Sequence, residues 1–378
     1  MNFNLTEEHL MIRDAAKDFA KSELLPGVIE RDELQSFPKQ QIKKLGELGF
    51  MGMMVDQKYG GAGMDTISYV LAMEEISKID ASCSVAMSVN NSLVCWGIET
   101  FGTEFQKEKY LKPLAKGEML GAFCLSEPEA GSDATSQKTT AVDCGDHYVL
   151  NGTKNWITNG NSASIYLVIA QTDVEKKHKG INAFIIEKGM KGFEVGKKEN
   201  KLGIRGSDTH SVMFTDIKVP KKNRIGDNGF GFTFAMKTLS GGRIGIAAQA
   251  LGIASGAYEL SLKYSKERKA FGKEISNHQA IAFKLADMIT EINAARLLCF
   301  KAAWLKDNNQ NYDRASAMAK VYSSETAMKT TTEAVQIHGG YGFVKEYHVE
   351  RLMRDAKITQ IYEGTSEIQR IVISRSIL

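Results

Sequence analysis

Cysteine is scarce in this 378-residue chain: five in all, at Cys83, Cys95, Cys124, Cys144 and Cys299, with no Cys-x-x-Cys pair. An odd, scattered set argues against a disulfide framework and against a thiolate zinc site, and fits a reducing compartment. Neither sign of charge is in excess, since 48 Lys and Arg face 45 Asp and Glu for a net +3. Nucleic acid or an anionic membrane surface would call for a clustered basic face, and only short runs such as Lys176-Lys177 and Lys221-Lys222 occur. Long apolar runs are missing as well; 165–170 is too short to cross a bilayer. No nucleic-acid partner and no membrane insertion are therefore expected. The N-terminus passes almost at once into an amphipathic pattern, without a basic-apolar leader or an Arg/Ser-rich transit stretch. Asn151-Gly-Thr153 matches a glycosylation sequon, which without a leader reads as chance.

Familiar catalytic signatures are lacking too. Gly61-Ala-Gly63 has no third glycine and no βαβ surroundings, so a turn is the better reading. There is no Walker loop, no His-Glu-x-x-His and no Gly-x-Ser-x-Gly elbow, and the seven histidines have no metal-ligand spacing. No metal is expected, and His338 reads as structural.

What is present divides into three stretches. Residues 1–120 read as helical: Thr6 suits an N-cap for a helix with an inward stripe of Ile12, Ala16, Phe19 and Ala20. Pro26 ends it. Further helices are expected over 38–48, 66–77, 81–96 and 105–114. Residues 121–228 change character. Asn151-Gly152 is a two-residue hairpin signal after an alternating run, with 155–158 as the return strand. Strands are expected over 164–172, 180–187 and 211–219. Strands in succession without helices between them predict an antiparallel sheet. Residues 229–378 return to helix, with long segments over 244–268, 276–305 and 313–337 that predict a bundle. Gly245, Ala248, Gly252 and Gly256 in the first of these let helices approach closely.

Three segments combine reactive groups with permissive backbone. In Phe123-Cys-Leu-Ser-Glu-Pro-Glu-Ala-Gly-Ser-Asp133, the hydroxyls of Ser126 and Ser132 flank Gly131, although such a composition is more often only a loop. In Trp156-Ile157-Thr158 an aromatic face and a hydroxyl lie two apart, which in a strand puts them on one face. A flat cofactor would stack on such a face; a Trp packing the sheet is the plainer reading. In Ile361-Tyr-Glu-Gly-Thr-Ser-Glu-Ile-Gln-Arg370, Thr365 or Ser366 is placed to cap a terminal helix, with Glu363 in the turn before it. Taken alone, Glu363 reads as a solvated acid.

Together these segments resemble the acyl-CoA dehydrogenase family, and within it the bacterial butyryl-CoA and other short-chain members. Further family-like segments are Gly203-Ile-Arg-Gly206, Gly241-Gly-Arg-Ile-Gly245, Arg268-Lys-Ala-Phe-Gly272, Gln336-Ile-His-Gly-Gly-Tyr-Gly342 and Arg354-Asp-Ala-Lys357. They occur in order along essentially the whole chain. The resemblance implies an α+β multidomain fold: an N-terminal helical domain (1–120), a middle antiparallel β domain (121–228) and a C-terminal four-helix bundle (229–378). It implies FAD as cofactor, a homotetramer built as a dimer of dimers, electron-transferring flavoprotein as electron acceptor, and a bacterial cytoplasmic location. It places Phe123, Leu125, Ser126, Gly131 and Ser132 at the flavin and substrate site. Trp156 to Thr158 lie along the flavin, and Thr365, Ser366 and Glu367 complete its site. Arg268 and Gln279 reach a partner subunit's FAD, as does the turn carrying Gln336, Ile337, Gly339 and Gly340. Ser132, Ser240, Arg243, Tyr362, Gly364 and Arg375 are placed on the acyl-CoA side.

The implied reaction is α,β-dehydrogenation of a short acyl-CoA, butyryl-CoA to crotonyl-CoA or its reverse. Glu363 is the base for the α-proton, flavin N5 takes the β-hydride, and the Glu363 N–H serves as one donor to the thioester oxygen. Gly364 lets that backbone approach closely. Some relatives carry the base one residue before the bundle arginine; here that residue is Gly242, which leaves Glu363. One departure is Ser240, where many relatives carry Asp. Medium- or branched-chain substrates, an O₂-reducing oxidase and a non-catalytic flavin-binding relative are the competing readings. The near-neutral charge and the retained Glu363 weigh against the last.

Overall fold

Thr6 opens α1 (Glu7–Phe19): its side chain accepts from the His9 N–H while the His9 ring accepts from the Thr6 N–H. In this computed structural model, which describes residues 4–378, the predicted stripe of Ile12, Ala16, Phe19 and Ala20 is buried. A π-helical turn, Ala20–Leu24, carries the helix to Pro26. Next come α2 (Val28–Glu33), α3 (Lys39–Glu47) and, past the glycine turn, α4 (Thr66–Ser77). A single rod follows: α5 (Ala81–Ser88), a wide π segment Val89–Cys95, and α6 (Trp96–Phe101). The π segment has a job. Buried Asn90 donates to Met51 O at 2.8 Å and accepts from the Gly121 N–H at 3.0 Å, and Asn91 accepts from the Met53 N–H at 2.8 Å. Two side-chain amides thus satisfy loop backbone that no helix or strand serves. Short helices α7 (Glu104–Gln106) and α8 (Lys112–Ala115) complete this part.

The sheet comprises β1 (Gly121–Cys124), β2 (Thr140–Asp143), β3 (His147–Thr158), β4 (Ile165–Gln171), β5 (Ile181–Glu187), β6 (Phe193–Lys198), β7 (Thr209–Pro220) and β8 (Arg224–Ile225). Their order is β6-β7-β3-β2-β4-β5-β8, with β1 also on β4. The sheet is mixed, where an antiparallel one was expected: β1 lies parallel to β4, and β2 touches it in parallel. The cause is topological, because a loop and the β2–β3 hairpin intervene before the chain lays β4 beside β1. The expected hairpin at Asn151-Gly152 is absent. Both residues lie inside β3, and 155–158 continues that strand. The register slips between Leu150 and Gly152, a β-bulge with Gly152 at φ +148°. Asn151 locks it by donating to Asp216 Oδ1 at 3.0 Å and accepting from the Asp216 N–H at 2.8 Å.

The remaining chain forms α9 (Gly231–Glu267), a small hairpin of β9 (Lys269–Ala270) and β10 (Lys273–Glu274), then α10 (Gln279–Asp307), α11 (Asp313–His338), α12 (His348–Thr359) and α13 (Ser366–Arg375). Glu74 on α4 joins α9 and α10, accepting from Ser255 at 3.0 Å and Arg296 at 2.6 Å. Two family-like segments turn out to be a clasp. Arg354 on α12 pairs with Asp32 on α2 at 2.7 Å, Asp355 accepts from the Ile204 N–H, and Arg351 donates to Ile79 O at 2.8 Å. The clasp ties the helical start, the β6–β7 connection and the bundle together. No helix among the described residues is long and apolar enough to cross a membrane.

Candidate active site

The turn between α12 and α13 is built from tertiary contacts. Thr365 caps α13, accepting from the Ile368 N–H at 3.3 Å, as expected. Before it, Glu363 takes φ +53° and Gly364 φ +93°. A non-glycine residue holds the left-handed region only when its surroundings impose it. Here Gln369 Nε2 donates to Glu363 O at 3.1 Å and to Gly364 O at 2.9 Å, and Lys320 Nζ donates to Gly364 O at 2.7 Å. The Glu363 N–H meets no acceptor among the described residues. Tyr362 is tied by its hydroxyl to Gln249 on α9.

Glu363 is no solvated acid. Its Oε2 is buried and has no hydrogen-bond partner among the described residues. Burial pushes the carboxyl up to about 7, opposed by Lys320 first and then Arg243. The carboxylate lies against Gly242 of α9, where a Cβ would come within 2.2 Å of Oε2. The two alternative base positions thus converge on one point. Arg243 is buried beside it, its Nη1 3.4 Å from Ser240 Oγ and its Nε without a partner. Ser240 in turn donates to Met236 O at 3.2 Å. A neutral hydroxyl therefore contacts Arg243, whose charge is balanced at longer range by Asp313 and Glu363.

The sheet supplies the other residues. Phe123 on β1 meets Phe234 of α9 with ring centroids 6.4 Å apart. Ser126 O accepts from the Asn155 N–H at 2.9 Å, and Leu125 O from Lys154 Nζ at 3.0 Å. Lys154 is fully buried and pairs with Glu127 Oε1 at 2.7 Å, while Glu127 also accepts from the Thr139 N–H at 3.0 Å. The Leu125–Pro128 stretch is thereby pinned to β3. The N–H groups of Ser126, Gly131 and Ser132 meet no acceptor among the described residues. Trp156 does not follow the pleat: a second bulge in β3 gives it φ +57° and leaves the ring 55% exposed, while Ile157 is buried. The shared face inferred from simple alternation is replaced by a bulge that turns the indole outward; Thr158 beyond it is partly exposed.

Other predicted residues lie elsewhere. Arg268, Ile337, Gly339 and Gly340 line a cavity of about 520 Å³ with Tyr264, Ile275 and Tyr341. His338 closes it, stacked on Tyr264 at 4.3 Å and bonded through Nδ1 to Ala334 O at 2.8 Å. That is the structural role expected of it. Gln279 and Gln336 are exposed near this end of the bundle, and Glu367 and Arg375 are exposed on α13. Sequence reasoning missed Lys320, Gln369, Gln249 and the Glu127–Lys154 pair. Only the last had a local signal, the carboxylate within the Leu-Ser-Glu-Pro run. No group of His, Cys, Asp or Glu suited to a metal occurs among the described residues, and all five cysteines are free.

Comparison with known proteins matches this architecture part by part. Residues 6–118, 122–217 and 229–378 match the family models for the N-terminal, middle and C-terminal domains of acyl-CoA dehydrogenase. The chain is 52% identical to the short-chain specific acyl-CoA dehydrogenase of Clostridium acetobutylicum, covering 100% of both. It superimposes with TM-score 0.98 on the butyryl-CoA dehydrogenase of Megasphaera elsdenii, at 50% identity over 100% of each chain. A chain from a structure of the electron-transferring flavoprotein of Acidaminococcus fermentans, studied for flavin-based electron bifurcation, matches with TM-score 0.99 at 53% identity over 100% of each chain.

Proposed function

This chain belongs to the acyl-CoA dehydrogenase family, and on that premise we propose that it is an FAD-dependent short-chain acyl-CoA dehydrogenase acting on butyryl-CoA, with Glu363 as the base. The observation that carries the proposal is the Glu363 carboxylate: its Oε2 is buried and unpaired, and the group is raised to about 7, a value suited to taking a proton near neutrality.

The residues present fit a flavin. Trp156 offers an outward-facing aromatic surface, and the unengaged N–H groups at Ser126, Gly131 and Ser132 offer donors. Phe123, Leu125, Ile157, Thr158, Thr365, Ser366 and Glu367 would complete that hold. Bound FAD would supply the hydride acceptor for Cβ. Arg268, Gln279 and the Gln336–Gly340 turn would serve a partner subunit's FAD in a homotetramer, an assignment the exposed 520 Å³ cavity favours.

Glu363 takes the Cα proton onto its carboxylate. Its unengaged N–H donates to the thioester oxygen as negative charge develops there, a preorganised interaction of about 3 kcal/mol. Gln369 and Lys320 fix the backbone that presents this N–H. Arg243, Ser240, Tyr362 and Gly364 would lie on the acyl-thioester side, and exposed Arg375 would meet the adenosine end of CoA. Short-chain preference and transfer of electrons to electron-transferring flavoprotein follow from the Clostridium, Megasphaera and Acidaminococcus relatives. The free thiols suit a bacterial cytoplasm.

The test is anaerobic titration of the FAD-loaded enzyme with butyryl-CoA, following the oxidised-flavin absorbance, for wild type and Glu363→Gln. Bleaching in wild type and none in the variant, with FAD and butyryl-CoA binding retained, is expected. A variant that still bleaches would place the base elsewhere. A wild type that bleaches only with C8 or branched acyl-CoA would overturn the chain-length assignment.

A further inference from the structure

Lys320 lies on α11 with its side chain fully buried. Burying an ammonium is expensive unless it is paired, and here its one hydrogen bond among the described residues goes to an uncharged carbonyl, Gly364 O at 2.7 Å. Such an arrangement persists where the charge has work to do. The bond ends at the turn of Glu363 and Gly364, whose carbonyls are drawn toward α11 and α13 by Lys320 and Gln369 together. With both carbonyls held that way, the Glu363 N–H is left unengaged and its carboxylate points onto Gly242.

The charged and titratable groups around this turn come from every element that packs on it. Arg243 faces Glu363 from α9, and the Tyr69 hydroxyl lies toward it from α4, itself bonded to Ser88 at 3.0 Å. Glu325 on α11 and Glu367 on α13 act on Lys320, and Glu325 also meets Arg370 at 3.5 Å. Tyr362, bonded to Gln249, completes the set. Lys320 and Glu363 are therefore a cation and an acid sharing one turn, with no direct hydrogen bond between them among the described residues.

We infer that Lys320 is the positioning residue of this turn: it fixes the backbone by its bond to Gly364 O and its charge keeps Glu363 poised as the carboxylate before substrate binds. The inference rests on Glu363 being the base. Burial lowers Lys320 to about 7, with Glu363 opposing that fall, so the two groups titrate over one pH range and behave as a coupled pair. Loss of the lysine charge raises the proton affinity of Glu363. The acid limb of kcat/KM, which reports the free enzyme, then moves to higher pH.

The experiment uses FAD-loaded enzyme: wild type, Lys320→Met, Lys320→Gln and, as control, Glu363→Gln. Two readouts are taken across pH, kcat/KM with butyryl-CoA and the infrared band of the protonated Glu363 carboxyl, assigned by its loss in Glu363→Gln. In Lys320→Met the limb and the band should both shift up by about one pH unit, with a roughly fivefold loss at pH 7 that recovers toward pH 9. Lys320→Gln keeps a donor for Gly364 O without the charge, so it should show the same shift with a smaller loss of limiting kcat. If Lys320→Met does not fold, the shift in Lys320→Gln decides the matter. Limb and band unmoved in a folded variant would overturn the inference even if stability fell. Turnover surviving in Glu363→Gln would instead overturn the assignment of the base, and this inference with it.

Discussion

Gly242→Ala adds one methyl group at the point where α9 meets the turn of Glu363. Its Cβ would lie 2.2 Å from Glu363 Oε2 and 2.7 Å from Leu93 Cδ2. Non-bonded atoms sit comfortably at about 3.5 Å, so the carboxylate must withdraw by about 1 Å or more. The backbone of Glu363 cannot follow, because Gln369 holds its carbonyl and Gln369 and Lys320 together hold that of Gly364, the next residue. The side chain therefore swings. A misplacement of about 1 Å in a reacting group costs on the order of 100-fold in rate, which is about 2.7 kcal/mol of barrier. The effect on the fold is small: alanine is favoured over glycine inside a helix by about 1 kcal/mol, which offsets the crowding at Leu93. The neighbouring Gly241→Ala is the control, since its Cβ would find Ser92 O and Tyr312 Oη at 3.9 Å, ordinary contacts. The assay is single-turnover flavin bleaching by butyryl-CoA, with thermal melts of the FAD-loaded protein alongside. Gly242→Ala should lose about two decades while Gly241→Ala keeps its rate. Wild-type turnover in Gly242→Ala, or equal losses in both, would refute the placement of the carboxylate.

Further outcomes follow from the same geometry. The acid limb of kcat/KM should fall near pH 7, tenfold per pH unit below it; a limb at the ordinary carboxylate value would contradict the burial of Glu363. The folded-state carboxyl at about 7 lies above its unfolded value near 4.5, so its contribution to stability is present below the unfolded value and is lost as pH rises through about 7. Glu363→Gln should therefore gain Tm over wild type as pH goes from 5 to 8, and a constant difference across that range would count against the assigned shift. Lys154→Met strands Glu127 without its buried cation and should cost about 3–5 kcal/mol of stability in urea unfolding, with FAD dissociating earlier than from wild type; an unchanged midpoint would mean that the pair does not anchor the loop.

Much of the architecture was legible. The helix bounds over 66–77 and 313–337 agree with α4 and α11 to within a residue, because caps and apolar period are local signals. Failures came where a tertiary partner overrode a local rule. Asn151-Gly152 carries a strong turn signal, yet Asp216 on the neighbouring strand captures the Asn side chain and converts the turn into a bulge inside β3. Trp156 and Thr158 should share a pleat face, but a second bulge intervenes. The parallel pairing of β1 with β4 had no local signature, since it depends on where the chain goes between them.

The candidate site divides along the same line. Glu363 was singled out because the segment around it resembles a family; by its own composition it read as a solvated acid. What would fit it for the proposed role of base is distant in sequence: α9 supplies a glycine that leaves room for the carboxylate, and α11 supplies a buried lysine that holds the turn. Gly242 pointed to Glu363 only by eliminating the other base position, and Lys320 gave no signal at all; their convergence on one left-handed residue appears only when three helices are packed. That convergence explains why a base can sit on either element. A carboxylate reaching from the α9 position would occupy the space that Glu363 Oε2 fills here, so the two placements are mutually exclusive. Glycine at 242 thus belongs to the proposed catalytic arrangement because it lacks a side chain.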